Sequence, residues 1–199
     1  MTDPTRGEPD EVYRLLPSAS ETATLRLTNE SLAALAQWQL HGDARPLPTG
    51  VRAEWYASAG GRRPEFPSGY PGAPVLGARS REALAEEIPS AGELLPVEID
   101  GLEAEEYRLL RVDAVVDCVD AGRSTVRYES TGELERTVLR PEAVPTALPA
   151  FRIPQYPTAV HWNGWAARRL RALLGDALET RLVWSPDPAR EPHPAPWGF

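Results

Sequence analysis

Proline punctuates this chain from end to end, taking 21 of its 199 positions, about twice ordinary usage. Each proline removes a backbone donor and fixes φ, so it breaks helix interiors and is confined to loops, turns and strand edges. The chain must therefore be built from short elements with many connections and few long helices. Its apolar share of 42% and charged share of 25% are ordinary for a globular protein, and its length suffices for one sizeable core.

Residues 1–10 read as a flexible polar lead-in, residues 11–184 as a single domain, and residues 185–199 as a proline-rich tail. Val12–Leu16 and the alternating Thr22–Thr28 predict strands. Asn29 predicts an N-cap for a helix over Glu30–Leu40, with Leu32, Leu35, Ala36 and Gln39 on one face, Trp38 beside them and Gly42 as the stop. Val51–Ala57 alternates as a further strand. Residues 58–78 form the longest irregular stretch, and loops of that length are often functional. Tyr70, Phe66, Arg62 and Arg63 are its contact candidates. Ser80 predicts the cap of a short helix over Arg81–Glu87 that Ile88 and Pro89 end.

The densest strand pattern follows. Leu94–Ile99, Glu106–Val112, Ala114–Val119, Ser124–Ser130 and Leu134–Leu139 are separated by Gly-containing turns, which predicts an antiparallel meander. PAFRIP, residues 149–154, reads as an extended edge segment with Phe151 and Ile153 inward. Thr158–Trp162 predicts a strand. Asn163 then caps a helix over Gly164–Leu174, with Trp165, Leu170, Leu173 and Leu174 near one face and Arg168, Arg169 and Arg171 towards solvent. Arg181–Trp184 is the last strand. The tail is disordered or laid on the surface by Trp197 and Phe199. The order of elements points to an α+β class, a mainly antiparallel sheet with two main helices and Pro-rich loops and tail.

Charge narrows the function classes. The formal net charge is −8, which argues against binding to phosphate backbones and suits either solubility or a basic partner. All 21 basic residues are arginine, so Schiff-base lysine chemistry and Walker-type phosphate binding are excluded. Cys118 is the one cysteine, so an intramolecular disulfide is impossible and a reducing compartment fits. The polar, acidic N-terminus does not read as a signal peptide, and no stretch approaches a membrane span. The expectation is a cytoplasmic protein with no membrane or nucleic-acid partner.

No catalytic motif emerges. His41, His161 and His193 lack metal-ligand spacing, so no metal or cofactor is expected. Cys118 sits in an apolar strand, where a thiol is usually inert. Asp113 and Asp117 are four apart, on one face of the predicted strand. They read either as a cation or proton site or as partners for Arg111 and Arg127. Glu86, Glu87, Glu98, Asp100, Glu103, Glu105 and Glu106 make the densest negative charge, a candidate patch for a basic protein surface or a solvated turn.

From residue 94 to 184 the order of features becomes familiar: LLPVEIDG, then EYRLLRVDAVVDCVD, then Ser124–Tyr128, then RPEAVPTALPAFRIPQYP, a strand, a helix and a final strand. This resembles a family of bacterial immunity proteins encoded beside polymorphic toxins, immunity family eleven. That family shows an L-x-P-V-x-V segment, Y-x-L-x-V, an acidic C-x-D turn and an F-R-hydrophobic motif. The resemblance covers about half of the chain. It implies a cytosolic protein that neutralises a cognate toxin, the product of a nearby gene, by direct contact; the acidic balance suits a basic partner. The proline-rich tail and the 58–78 loop depart from the pattern. Two alternatives stand beside this expectation: a small hydrolase or transferase using Asp113, Asp117, His161 or Cys118, and an adaptor that docks through the tail.

Overall fold

The computed structural model describes residues 10–18, 23–46, 48–56, 62–99 and 106–198. Its elements in chain order are β1 (Val12–Pro17), β2 (Thr24–Leu27), α1 (Asn29–His41), β3 (Val51–Tyr56), β4 (Val75–Leu76), α2 (Ala78–Ala83) and α3 (Ile88–Ala91). There follow β5 (Gly92–Ile99), β6 (Arg108–Val112), β7 (Thr125–Tyr128), β8 (Glu133–Arg136), β9 (Ala150–Ile153), β10 (Tyr156–Asn163), α4 (Gly164–Leu174) and β11 (Leu178–Trp184). The class is α+β, as the order of elements predicts.

The strands form a four-stranded sheet ordered β11-β1-β10-β9, a five-stranded sheet ordered β2-β3-β5-β6-β4, and a separate ribbon of β7 and β8. Among the described residues, the named strands all pair antiparallel except β3 with β5. The expected hairpin of β5 and β6 forms, with Gly92 opposite Val112 and Pro96 opposite Arg108. The five strands of the predicted meander do not stay together, however. Ala114–Val119 is extended but makes isolated bridges, Val115 to Arg152 and Val119 to Leu139. β7 and β8 pair with each other alone. Turn residues close a hairpin, but they do not say which sheet it joins.

Alternation explains how two sheets share one interior. On β6, Leu109 faces a core with Leu35 and Trp38 of α1, while Leu110 and Val112 face a second core with α4. On β10, Val160 and Trp162 face the α4 core, while Ala159 faces a third core with Phe151, Ile153 and Trp197. Successive side chains on opposite faces are the strand rule, and here both faces are covered. β9 lies at a sheet edge with Phe151 and Ile153 fully buried, as PAFRIP predicts. Arg152 between them is also buried, which its sequence context does not announce.

The helices keep their predicted places with local changes. Thr28, one residue earlier than expected, caps α1 by accepting the Ser31 N–H, and Gly42 ends the helix at φ 55°. Gly77 rather than Ser80 precedes α2, and Pro89 lies in the first turn of α3 instead of stopping a helix. That placement suits a residue with no N–H to bond. Asn163 is the N-cap position of α4 but makes no side-chain cap bond. Its amide donates instead to the carbonyls of Pro145 and Leu148. The buried face of α4 is Gly164, Ala166, Ala167 and Leu170, and of the other residues expected there Trp165 and Leu174 pack partly buried against the same core. Small side chains let the helix sit close to β1 and β10.

Three buried arginines tie these layers. Trp38 on α1 lies under two guanidinium groups, Arg152 at 4.6 Å and Arg111 at 5.5 Å from its ring centroid. Arg152 reaches out of β9 to donate to Val112 O at 2.7 Å, Gln39 O at 3.2 Å and Pro157 O at 3.2 Å. Arg111 pairs with Asp113 at 2.8 Å and Glu93 at 2.9 Å. Arg14 on β1 donates to Pro196 O, Gly198 O and Gly69 O. The tail is thus docked rather than loose, with Trp197 4% exposed. Phe199 lies outside the described residues, and so do Ala57, the last residue of the expected Val51–Ala57 strand, and the start of the 58–78 loop, residues 58–61. No helix among the described residues is long and apolar enough to cross a membrane.

Replacing Arg152 by Met keeps the apolar stem but strips three buried carbonyls of their donor. Urea unfolding of Arg152→Met should show a loss of about 3 kcal/mol, since buried acceptors left unmet cost that order of free energy.

Candidate binding groove

The enzymatic alternative needs at least two of Asp113, Asp117, His161 and Cys118 to converge. Among the described residues, no hydrogen bond joins any two of them. Asp113 is taken by Arg111. Asp117 meets Arg140 at 3.7 Å and the Gln155 amide at 3.4 Å. The two aspartates leave their expected shared strand face, because that segment is not a regular strand. Cys118 is fully buried among Phe151, Val119 and Leu139, and burial pushes its thiol up to about 11. His161 is fully buried on β10, and burial pushes its imidazole down to about 3. It is neutral near pH 7. No group of three His, Cys, Asp or Glu among the described residues is placed to hold a metal ion.

Four of the seven acidic candidates, Glu86, Glu87, Glu98 and Glu106, fall among the described residues. Glu86 is exposed after α2, but Glu87 is buried and pairs with Arg169 of α4 at 2.9 Å. That pairing removes Glu87 from any solvent-facing surface. Glu98 stands at the far end of β5, about 20 Å along the strand from Gly92 at 3.3 Å per residue, and pairs with Arg52 at 2.8 Å. Glu106 is exposed just before β6. Asp100, Glu103 and Glu105 lie outside the described residues. The sequence cluster is contiguous because a hairpin folds through it, and β5 carries its two ends apart.

What the fold assembles instead is an apolar groove of about 350 Å³. One wall is the outer edge of α1, with Leu32, Ala36 and Leu40, and the opposite wall is the 70–73 segment, led by Tyr70. Tyr156 of β10 and Thr131 of the β7–β8 turn complete it. Gln39 fixes the spacing of the walls by donating from Nε2 to Gly72 O at 2.7 Å. The groove is open to solvent, and Leu40 at its rim is 46% exposed. A wider, shallower depression of about 690 Å³ lies over Ala85, Pro89 and Leu94, but Arg81, Glu82 and Glu93 share its lining.

In the ribbon beside the groove, β7 is exposed along its length while Leu134 of β8 is buried. Val126 and Tyr128 are 52% and 50% exposed. Arg127 stacks over the Tyr128 ring at 5.3 Å. Solvent-facing tyrosine and arginine near an apolar recess are the residue types enriched in protein interfaces. Of these features the sequence signalled only the 58–78 loop, and its Tyr70 does form a wall. Leu40 and Tyr128 carried no signal, because their exposure depends on where the ribbon packs.

No protein-family model matches this chain, and no curated protein matches it. The immunity-family resemblance rests on the motifs quoted for it.

Two measurements follow. Gly132 holds the ribbon turn at φ 72°, where an added Cβ would lie 2.0 Å from Gln155 O. Gly132→Ala should cost about 1–2 kcal/mol and displace the turn, read as faster amide exchange in Ser130–Gly132 with the Leu109–Val112 amides unchanged. Cys118 should resist a thiol reagent near pH 8 in the folded chain and react at once in denaturant; rapid labelling of folded protein would contradict its burial.

Proposed function

We propose that this protein acts by binding another protein, as an immunity-type partner that neutralises a cognate toxin in the cytosol. The observation that carries the reading is the solvent-open apolar groove flanked by the exposed face of the β7–β8 ribbon. Apolar groups held in water at the rim of a formed recess gain free energy when a partner covers them. The separation of Asp113, Asp117, His161 and Cys118 supports binding over catalysis. The net charge of −8 favours a basic partner through long-range attraction, which raises association rates and fades with salt. The order of motifs from Leu94 to Trp184 supports the toxin-neutralising form of the reading.

The test is capture of the tagged chain co-expressed with the products of its neighbouring genes, at low and high salt. A stoichiometric partner is expected, captured less well at high salt. Leu40→Glu and Tyr128→Ala change exposed side chains and should leave the fold intact while weakening capture at least tenfold, since anchoring residues at interfaces are worth about 2 kcal/mol or more. A partner that binds both variants as well as the wild type would move the interface elsewhere. No partner at either salt would remove the reading.

A further inference from the structure

The floor of the groove is also the seat of the C-terminal tail. Tyr156 lines the groove, and its ring meets Trp197 edge to face at 5.2 Å. Trp197 in turn meets His161 at 4.9 Å, and the imidazole stacks on Phe151 at 5.6 Å. Arg14 joins the two structures directly. Its Nη1 donates to Pro196 O at 3.0 Å and Gly198 O at 2.9 Å in the tail, while its Nη2 donates to Gly69 O at 2.9 Å, beside the groove wall at Tyr70. One guanidinium therefore holds both the tail and the wall. Arg181 adds bonds to Ala195 O and Gly198 O, and the His193 N–H donates to Leu182 O. Residues 186–192, which lead into this seat, are exposed.

The seat contains an unusual feature. Neither ring nitrogen of the fully buried His161 has a hydrogen-bond partner among the described residues, and neither does Trp197 Nε1. Buried polar groups without partners carry a desolvation cost. The cost becomes prohibitive when such a group is charged.

We propose that the tail is a releasable strap behind the groove, and that protonation of His161 releases it and loosens the groove wall. This rests on the reading of the groove as the binding surface, and it supplies the regulation of that surface. An imidazolium between Phe151 and Trp197 would sit in a dry aromatic seat, where the Ala159 backbone offsets only part of its desolvation. Arg14, over the Trp197 ring at 5.8 Å, already puts one cation at the same seat. Water can reach the imidazolium only when Trp197 lifts. Lifting it breaks the Arg14 bonds to the tail, which removes two of the bonds that orient the guanidinium bracing Gly69, and it uncovers Tyr156 from below.

The sign follows from burial. His161 is pushed down from the ordinary 6.5 to about 3 by desolvation, which the nearby Ala159 backbone only partly opposes. The strapped state excludes the proton and the released state takes it up. Strapping is therefore at full strength above about pH 6.5 and weakens progressively as pH falls towards 3. The other charged or titratable groups at the seat are Arg14 on β1, Glu179 and Arg181 on β11, Tyr156 on β10, Glu133 on β8, Cys118 behind Phe151, and His193 in the tail. Burial raises Tyr156 to about 12 and Cys118 to about 11, so neither takes part in this window. His193 Nδ1 accepts the Ala195 N–H at 3.1 Å, so it needs its own control.

The experiment is amide hydrogen exchange of the full chain near pH 7.5 and near pH 5, with rates corrected for intrinsic exchange. The opening equilibrium of residues 191–198 should rise up to about 30-fold at the lower pH, the linkage expected for a histidine at 6.5 when open and 3 when closed. Tyr70–Ala73 should open with the tail, and Leu109–Val112 should not. His161→Phe keeps an aromatic ring without a proton site, so its tail should stay protected at both pH values. Trp197→Ala should show an open tail and a loosened wall already near pH 7.5, with its far-ultraviolet circular dichroism retained; this variant decides the matter if His161→Phe does not fold. His193→Asn should keep the wild-type response.

A wild-type tail indifferent to pH overturns the proposal. So does an unchanged response in His161→Phe, a response lost in His193→Asn, or an opened tail that leaves Tyr70–Ala73 protected. None of these measurements needs a partner, so a failed capture experiment counts against the groove reading alone.

Discussion

The Arg152 guanidinium is the interaction on which the arrangement of this molecule depends. It leaves an edge strand of one sheet, binds a carbonyl of the other sheet at Val112, binds the last turn of α1 at Gln39, and lies over Trp38. It adds direction to the apolar contacts between three layers, which alone fix neither angle nor register. Arginine suits the task because its planar fork spreads one charge over several donors and stacks on an aromatic face. The absence of lysine from the whole chain is consistent with this use. A compact ammonium on a flexible stem would not reproduce either the stacking or the divergent bonds that Arg14, Arg111 and Arg152 make.

The same device sets the groove. Arg152 holds Gln39 O, and the Gln39 side chain holds Gly72 O. Arg14 holds Gly69 O. The segment 69–73, which has no regular structure of its own, is thereby pinned at both ends against α1 and β1. Apolar groups can stand open to water along the groove because polar anchors behind them stop the walls from collapsing together. Binding surfaces built in this way are preorganised, and preorganisation lowers the ordering cost of association. The tail under Tyr156 is the exception. Its seat mixes aromatic contact with an imidazole whose ring nitrogens are unmet by side chains.

The elements were legible in the sequence where pattern and stop signals agree. The α1 and α4 spans, the PAFRIP edge strand and the β5–β6 hairpin follow from periodicity, Gly stops and prolines, all of which act within a few residues. The predicted meander dispersed because hairpin signals are equally local. Nothing in Ser124–Leu139 records that β7 and β8 pair only with each other. Within the acidic stretch, Glu87 turned inward to meet Arg169 of α4, a partner that no local signal records.

What the sequence by itself determined is therefore the α+β class, the short proline-bounded elements, the absence of lysine chemistry and the apolar setting of Cys118. Each depends on residue type or on spacing within one element. What only tertiary structure decided is the groove, the docking of Trp197 on His161, and the burial of Arg14 and Arg152. These depend on pairs such as Gln39 with Gly72, or Arg14 with Pro196, that lie far apart in the chain. No local propensity can encode such a pair, because its free energy exists only after two sheets and a helix have come together.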